Sequence, residues 1–164
     1  MTQDAGFNDA LDRPLNLGAQ DAEDLQVISS LTQDAVLTVE DLKWSRAERQ
    51  VVFLLKRFRW EDVELAKQQG RDPERVQSLL VIQNATRLAS QGIDRKQADV
   101  VLSLMSLEFS GAEDGVGALV LTFSGDGALK VQVDGLDVAL RDVTRPYVAP
   151  SKQVPNHDGS CTHL

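Results

Sequence analysis

The chain has 164 residues, with 17 Lys and Arg against 25 Asp and Glu, a formal charge of −8. Its 42% apolar and 26% charged content is ordinary globular usage, which excludes wholesale disorder and fibrous repeats and leaves one domain able to bury a core without disulfides or metals. No stretch approaches the roughly 18 apolar residues of a membrane span, no basic-then-apolar leader opens the chain, and a pI near 4.7 argues against broad nucleic-acid coating.

Residues 1–18 are polar, contain Pro14 and end in Gly18; they read as a flexible arm, although Leu15 and Leu17 alternate and can lie against the domain. The first element is a helix. Asp21 is placed to cap it, Asp24 stands three residues on, and both suit the positive end of the helix dipole. Leu25, Ile28 and Leu31, with Val27 beside them, form its apolar stripe. After Gln33 the period becomes two: Leu37 and Val39 alternate with Thr38 and Glu40, then Leu42 and Trp44 take the opposite phase. Ser45–Arg49 reads as a hairpin loop, and QVVFLLKRFRW returns as a second strand with Phe58 and Trp60 on one face and Arg57 and Arg59 on the other.

Residues 61–75 read as a charged loop with one helical turn, followed by a third, long strand in which Leu80, Ile82 and Leu88 share a face. VVLSLMSLEF is the fourth strand, with Met105, Leu107 and Phe109 facing one way; ALVLTFS is the fifth, with Leu119, Leu121 and Phe123 inward. Gly125-Asp126-Gly127 is a tight hairpin turn, its glycines supplying positive φ. It leads into ALKVQV, with Leu129, Val131 and Val133 inward, and a bulge at Gly135 is expected to bring Leu136, Val138 and Leu140 to the same side, with a short terminal helix from Asp137 as the alternative. Residues 150–164 carry two prolines and little apolar mass and read as a disordered tail, leaving 19–149 as a single domain.

The expected fold is α+β: an N-terminal helix, then six or seven mostly antiparallel strands in a strongly curved sheet or barrel, which would hide the sheet edges. A two-sheet sandwich and a pleckstrin-homology-like barrel fit the same pattern.

The chemistry is sparse. Both histidines, His157 and His163, lie in the tail beside the single cysteine, Cys161, and chance proximity explains His-x3-Cys-x-His better than a metal site. One thiol makes no intrachain disulfide, so a reducing, cytoplasmic setting is the default. The acid pairs Glu23/Asp24, Glu40/Asp41, Glu61/Asp62 and Glu113/Asp114 are poor catalytic dyads, because neighbours on a strand point to opposite faces. No catalytic residue, metal site, cofactor or membrane contact is expected.

The stretch from 43 to 75 holds nine basic residues against six acids, a local +3 that leaves −11 for the rest, and 108–142 holds seven acids against two bases. Arg46, Arg49, Arg57 and Arg59 are therefore the expected binding surface. Alternating arginines and aromatics suit stacking on single-stranded nucleic acid, but only when charge and ring share a face, and here they do not. Core aromatics, with arginines paired to acids of a neighbouring strand or subunit, fit the alternation better.

In order, DAVLTVEDLKW, QVVFLLKRFRWE, the strand ending ASQGID, LSLMSLEF and GALVLTFSGDGALKVQVDGLDVALRDV resemble an uncharacterised bacterial domain-of-unknown-function family of about this size. The resemblance covers about 20–148 and is most specific in FLLKRFRWE and the last double-strand segment. It implies a small cytoplasmic protein and brings no activity, cofactor or catalytic residue. The leading expectation is a non-catalytic binding or assembly module, self-associating as a homo-oligomer through the basic 43–75 and acidic 108–142 regions. The alternative is a small-molecule-binding protein or carboxylate-based enzyme with its site at the barrel mouth. A third is RNA contact through Arg57 and Arg59.

Overall fold

A computed structural model describes residues 14–72, 74–93, 96, 100–112, 114–144 and 147–148. Helix α1 (Ala22–Leu31) starts as the sequence dictates: the Asp21 carboxylate accepts from the Asp24 N–H at 2.7 Å, and Leu25 and Ile28 are buried while Val27 is exposed. The segment read as a charged loop holds a 3-10 turn (Trp60–Asp62) and a short helix, α2 (Val63–Gln68).

Among the described residues eleven strands follow in chain order: β1 (Asn16–Ala19), β2 (Val36–Thr38), β3 (Leu42–Ser45), β4 (Gln50–Phe58), β5 (Glu74–Ile82), β6 (Ala85–Gln91), β7 (Val101–Gly111), β8 (Gly117–Phe123), β9 (Ala128–Val133), β10 (Val138–Asp142) and β11 (Tyr147–Val148). They join in one antiparallel sheet ordered β1-β10-β5-β4-β2-β7-β8-β9-β6, with β3 added to β4 and β11 to β5. The α+β class with an antiparallel sheet agrees with the sequence reading.

Other expectations are corrected. The sheet does not close into a barrel: its path ends at β1 and β6, which do not pair among the described residues. It is not a two-sheet sandwich either, because β7 pairs both β2 and β8. The edges are managed differently. β1 is only four residues long, and β6 exposes Thr86, Arg87, Ser90 and Gln91, a polar, charged rim that discourages further pairing.

The strand number exceeds six or seven because three runs read as continuous are each divided, and because β1 and β11 lie outside the runs read as strands; the first run, DAVLTVEDLKW, gives β2 and β3 on either side of a 3-10 turn (Val39–Asp41). The long third strand breaks at Asn84, which adopts φ 58°; β5 pairs β4 and β10, whereas β6 pairs β9. At Gly135 the expected bulge is a full switch of neighbours, since β9 pairs β6 and β8 while β10 pairs β1 and β5. The two breaks are bonded together: Asn84 Nδ2 donates to the Gly135 carbonyl at 3.2 Å, and the Asp134 N–H donates to the Asn84 carbonyl at 3.0 Å. The Ala85 N–H donates to the Arg49 carbonyl at 2.9 Å, which brings the β3–β4 turn to the same corner. Asn16–Gly18, read as part of the arm, belongs to β1 and pairs with β10.

The inward phase is as expected for β8, β9 and β10: Leu119, Leu121, Phe123, Leu129, Val131, Val133, Leu136, Val138 and Leu140 are all buried. They meet Val51, Phe53 and Leu55 of β4, Leu80 and Ile82 of β5, and Leu25 and Ile28 of α1 in one core. On β7 a register shift between Leu104 and Ser106 lets Leu104 and Leu107 both point inward. Met105, expected inward, is exposed as a result.

The mouth of the β7–β8 hairpin depends on a glycine pair. Gly111 and Gly117 lie directly opposite each other, and a Cβ on Gly117 would sit 2.6 Å from the Gly111 Cα, too close for any relaxed contact. Gly117→Ala is therefore expected to cost about 1–3 kcal/mol by overpacking backbone against backbone, measured by urea unfolding. An unchanged midpoint would show that the hairpin mouth opens freely.

Candidate functional site

The four expected arginines do not form one surface. Arg46 and Arg49 are exposed on the β3–β4 turn, but Arg57 is fully buried and Arg59 is 4% exposed. The faces alternate as the sequence indicates, yet it is the arginines that continue the inward phase of Val51, Phe53 and Leu55. Phe58 packs on the other side, edge-on to Trp60 at 4.9 Å between centroids and under the Arg75 guanidinium.

Arg57 can be buried because every donor is used. Nε donates to Ser78 Oγ and Asp142 Oδ1, both at 3.1 Å; Nη1 to Glu61 Oε1 at 2.9 Å and the Phe58 carbonyl at 3.2 Å; Nη2 to Glu61 Oε2 at 2.8 Å and Asp142 Oδ2 at 3.0 Å. Asp142 also accepts from Ser78 Oγ at 2.6 Å and from the Leu15 N–H at 2.9 Å. Burial by itself lowers the Arg57 pKa, but the hydrogen bonds and charges of Glu61 and Asp142 outweigh it and hold the pKa above its ordinary value. A raised folded-state pKa contributes stability that is complete below the unfolded value and lost only as pH rises through the folded one, so this guanidinium stays charged across the working range.

Arg59 Nη1 donates to Asp62 Oδ2 at 3.3 Å and Glu74 Oε1 at 2.5 Å, and Arg71 grips both oxygens of Asp62 at 3.2 Å. Glu61 and Asp62 thus serve as partners of the arginines, not as a catalytic pair. The whole cluster ties β1, β4, β5, β10 and the 3-10 turn together and leaves Arg57 no donor for a ligand.

The basic and acidic segments also meet within one chain: Arg57 pairs with Asp142, and exposed Arg49 pairs with Asp134. His157, Cys161 and His163 lie outside the described residues. Among the described residues, no group of three or more His, Cys, Asp or Glu is placed to hold a metal, and no helix is long and apolar enough to cross a membrane.

The concave feature with useful chemistry lies where β3 and β6 face each other without pairing. Among the described residues β3 pairs only with β4, and β6, at the end of the sheet path, only with β9. Between them is a cleft of about 260 Å³, lined by Leu37, Leu42, Trp44, Leu88, Leu102 and Leu129, with Thr38, Ser90 and Arg46 among its polar members. Of its apolar walls, Leu42, Trp44, Leu88 and Leu102 are half-buried side chains packed against the core, and Leu37 and Leu129 belong to the buried core itself. Trp44 and Arg46 also border an adjoining open basin with Arg49, Thr86, Arg87 and Leu88. Arg46 and Arg87 have no side-chain hydrogen bond or ion pair among the described residues, whereas Arg49 is held by Asp134.

Of the four expected residues, the structure places Arg46 and Arg49 at this site and removes Arg57 and Arg59 from it. Sequence reasoning missed Trp44, Leu88 and Arg87. The phase change at Leu42 and Trp44 was a signal that β3 turns its apolar side away from the Leu37 face, but nothing local tells that β6 lies opposite it.

Comparison with curated proteins and with solved structures finds no significant match. A family model matches residues 15–157, from just before β1 to beyond β11, and on that match the chain belongs to the DUF2948 family of proteins of unknown function.

Proposed function

We propose that this protein is a non-catalytic binding module that takes a small ligand with an apolar body into the cleft between β3 and β6. The carrying observation is the apolar opening walled by Leu37, Leu42, Trp44, Leu88, Leu102 and Leu129, at a place where two strand edges face each other unpaired. Ligand sites combine apolar walls with a few fixed polar groups, and about 260 Å³ lies just below the range for drug-sized ligands, so the occupant is small. The motive for self-association is weaker, because two of the opposed charge pairs, Arg49–Asp134 and Arg57–Asp142, form inside one chain. The single cysteine in 164 residues favours a reducing, cytoplasmic setting.

Titration of the ¹⁵N-labelled full chain with n-alkanols from propanol to hexanol tests the site. Saturable amide shifts are expected around Leu37–Trp44, Leu88, Leu102 and Leu129, with affinity rising about fourfold per added methylene, the equivalent of about 0.8 kcal/mol. Absence of saturation through hexanol, or shifts scattered over the surface, would overturn the assignment.

A further inference from the structure

The cleft opens past Trp44 and Leu88 onto the arginine basin, and the two share Trp44, Arg46 and Leu88 as common walls. Three guanidiniums border this basin and no acid does. In a chain of net charge −8, with acids in excess by eight, such a grouping needs a reason. The buried Arg57 and Arg59 and the exposed Arg71 have carboxylate partners: Arg57 with Glu61 and Asp142, Arg59 with Asp62 and Glu74, Arg71 with Asp62. In the basin only Arg49 does, through Asp134 just outside. Among the described residues Arg46 and Arg87 have no carboxylate partner, which leaves two positive charges at the mouth of an apolar cleft.

We infer, on the reading of the cleft as a ligand site, that the ligand is a phosphate monoester of a short apolar alcohol, its apolar body in the cleft beside Trp44 and its phosphate in the basin between Arg46 and Arg87. The charge count selects the head group. A phosphate monoester carries about −1.5 to −2 at pH 7 and offers three acceptor oxygens, enough for two forked guanidiniums, whereas a carboxylate satisfies one fork and leaves the second positive charge unmatched. The turn holds the basic groups in place: Arg49 sits at φ 53°, its carbonyl accepts from Ala85 at the base of β6, and its side chain is anchored on Asp134. Arg46 on the turn and Arg87 on β6 are thereby kept on the two sides of one opening. Thr86, also on the rim, turns its hydroxyl away to the Gln132 carbonyl at 3.2 Å, so the guanidiniums are the basin's principal donors.

The test compares n-butyl phosphate, butyrate, n-butanol and inorganic phosphate on the ¹⁵N-labelled full chain at low salt. Butyl phosphate is expected to bind at least about tenfold more tightly than butanol, moving amides of the cleft and those around Arg46 and Ala85–Leu88 together, with butyrate in between. Arg87→Gln, at an exposed position that does not line the cleft, is expected to lose part of the preference for butyl phosphate over butanol while leaving butanol binding and Tm unchanged, and adding Arg46→Gln is expected to abolish that preference. Equal affinity of butyl phosphate and butanol for the unaltered chain, with the cleft still responding to both, would overturn the phosphate inference and leave the cleft reading standing. Equality of butyrate and butyl phosphate would overturn the choice of phosphate over carboxylate. Inorganic phosphate matching butyl phosphate with no cleft shifts would reduce the basin to a simple anion site. If no alkyl probe moves a cleft amide, the reading of the cleft fails and this inference with it.

Discussion

Asp142→Ala is expected to lower the unfolding free energy by about 3–5 kcal/mol, because it strips the carboxylate from a buried guanidinium that keeps its charge. The variant loses the bonds from Arg57 Nε and Nη2, the Ser78 hydroxyl bond and the bond to the Leu15 N–H, and Glu61 alone cannot replace them. For a domain of this size the loss corresponds to a fall in Tm of about 6–20 °C. A companion variant separates the worth of the charge pair from the cost of orphaning one member. Arg57→Met combined with Asp142→Leu replaces the pair with apolar volume and is expected to recover most of the stability, since desolvating two ions offsets much of their attraction. Urea unfolding of both variants measures this; a loss below about 1 kcal/mol for Asp142→Ala would show that the cluster is dispensable.

Phe53→Ala is expected to cost a similar amount, about 3–5 kcal/mol, for an entirely different reason. Phe53 is fully buried at the centre of β4, with Leu42 opposite it on β3 and Leu80 opposite it on β5. Removing the ring leaves a void that β4, hydrogen-bonded along its length to β5, cannot collapse to fill. Because Leu42 is also a wall of the cleft, the variant is expected to weaken hexanol binding as well. Phe53→Leu restores most of the volume and is expected to recover more than half of the stability. A Phe53→Ala midpoint within about 1 kcal/mol of the parent would show the core to be far more plastic than its packing indicates.

Local rules placed α1, the β3–β4 hairpin, the Gly125-Asp126-Gly127 turn and the inward phases of β8, β9 and β10, because capping, turn chemistry and two-residue alternation are written in neighbouring residues. The breaks at Asn84 and Gly135 were hidden. At Gly135 the inward phase shifts from Leu129, Val131 and Val133 to Leu136, Val138 and Leu140, but a phase shift reads equally as a bulge within one strand, and only the change of partner, a long-range fact, makes either break a division between strands. Arg57 was misread in its exposure for a related reason. A positive charge in an inward register looks like an end to burial until Asp142, far along the chain, and Ser78 are brought beside it. The cleft was the least legible feature, since Trp44 and Leu88 come from strands that do not pair among the described residues.

The bond between the Leu15 N–H and Asp142 and the pairing of β1 with β10 also govern how the chain is made. Synthesis delivers β1 first, but its sheet partner is almost the last strand to appear. Arg57 leaves the ribosome with Glu61 close behind it and then waits for a carboxylate 85 residues downstream. At roughly 5–20 residues per second that interval is about 4–17 s. Throughout it the future core is an unfinished sheet carrying a charge that cannot yet be buried. A chain stopped short of β10 therefore lacks both the strand that pairs β1 and a carboxylate that neutralises buried Arg57, and closure of the sheet is expected to wait for them.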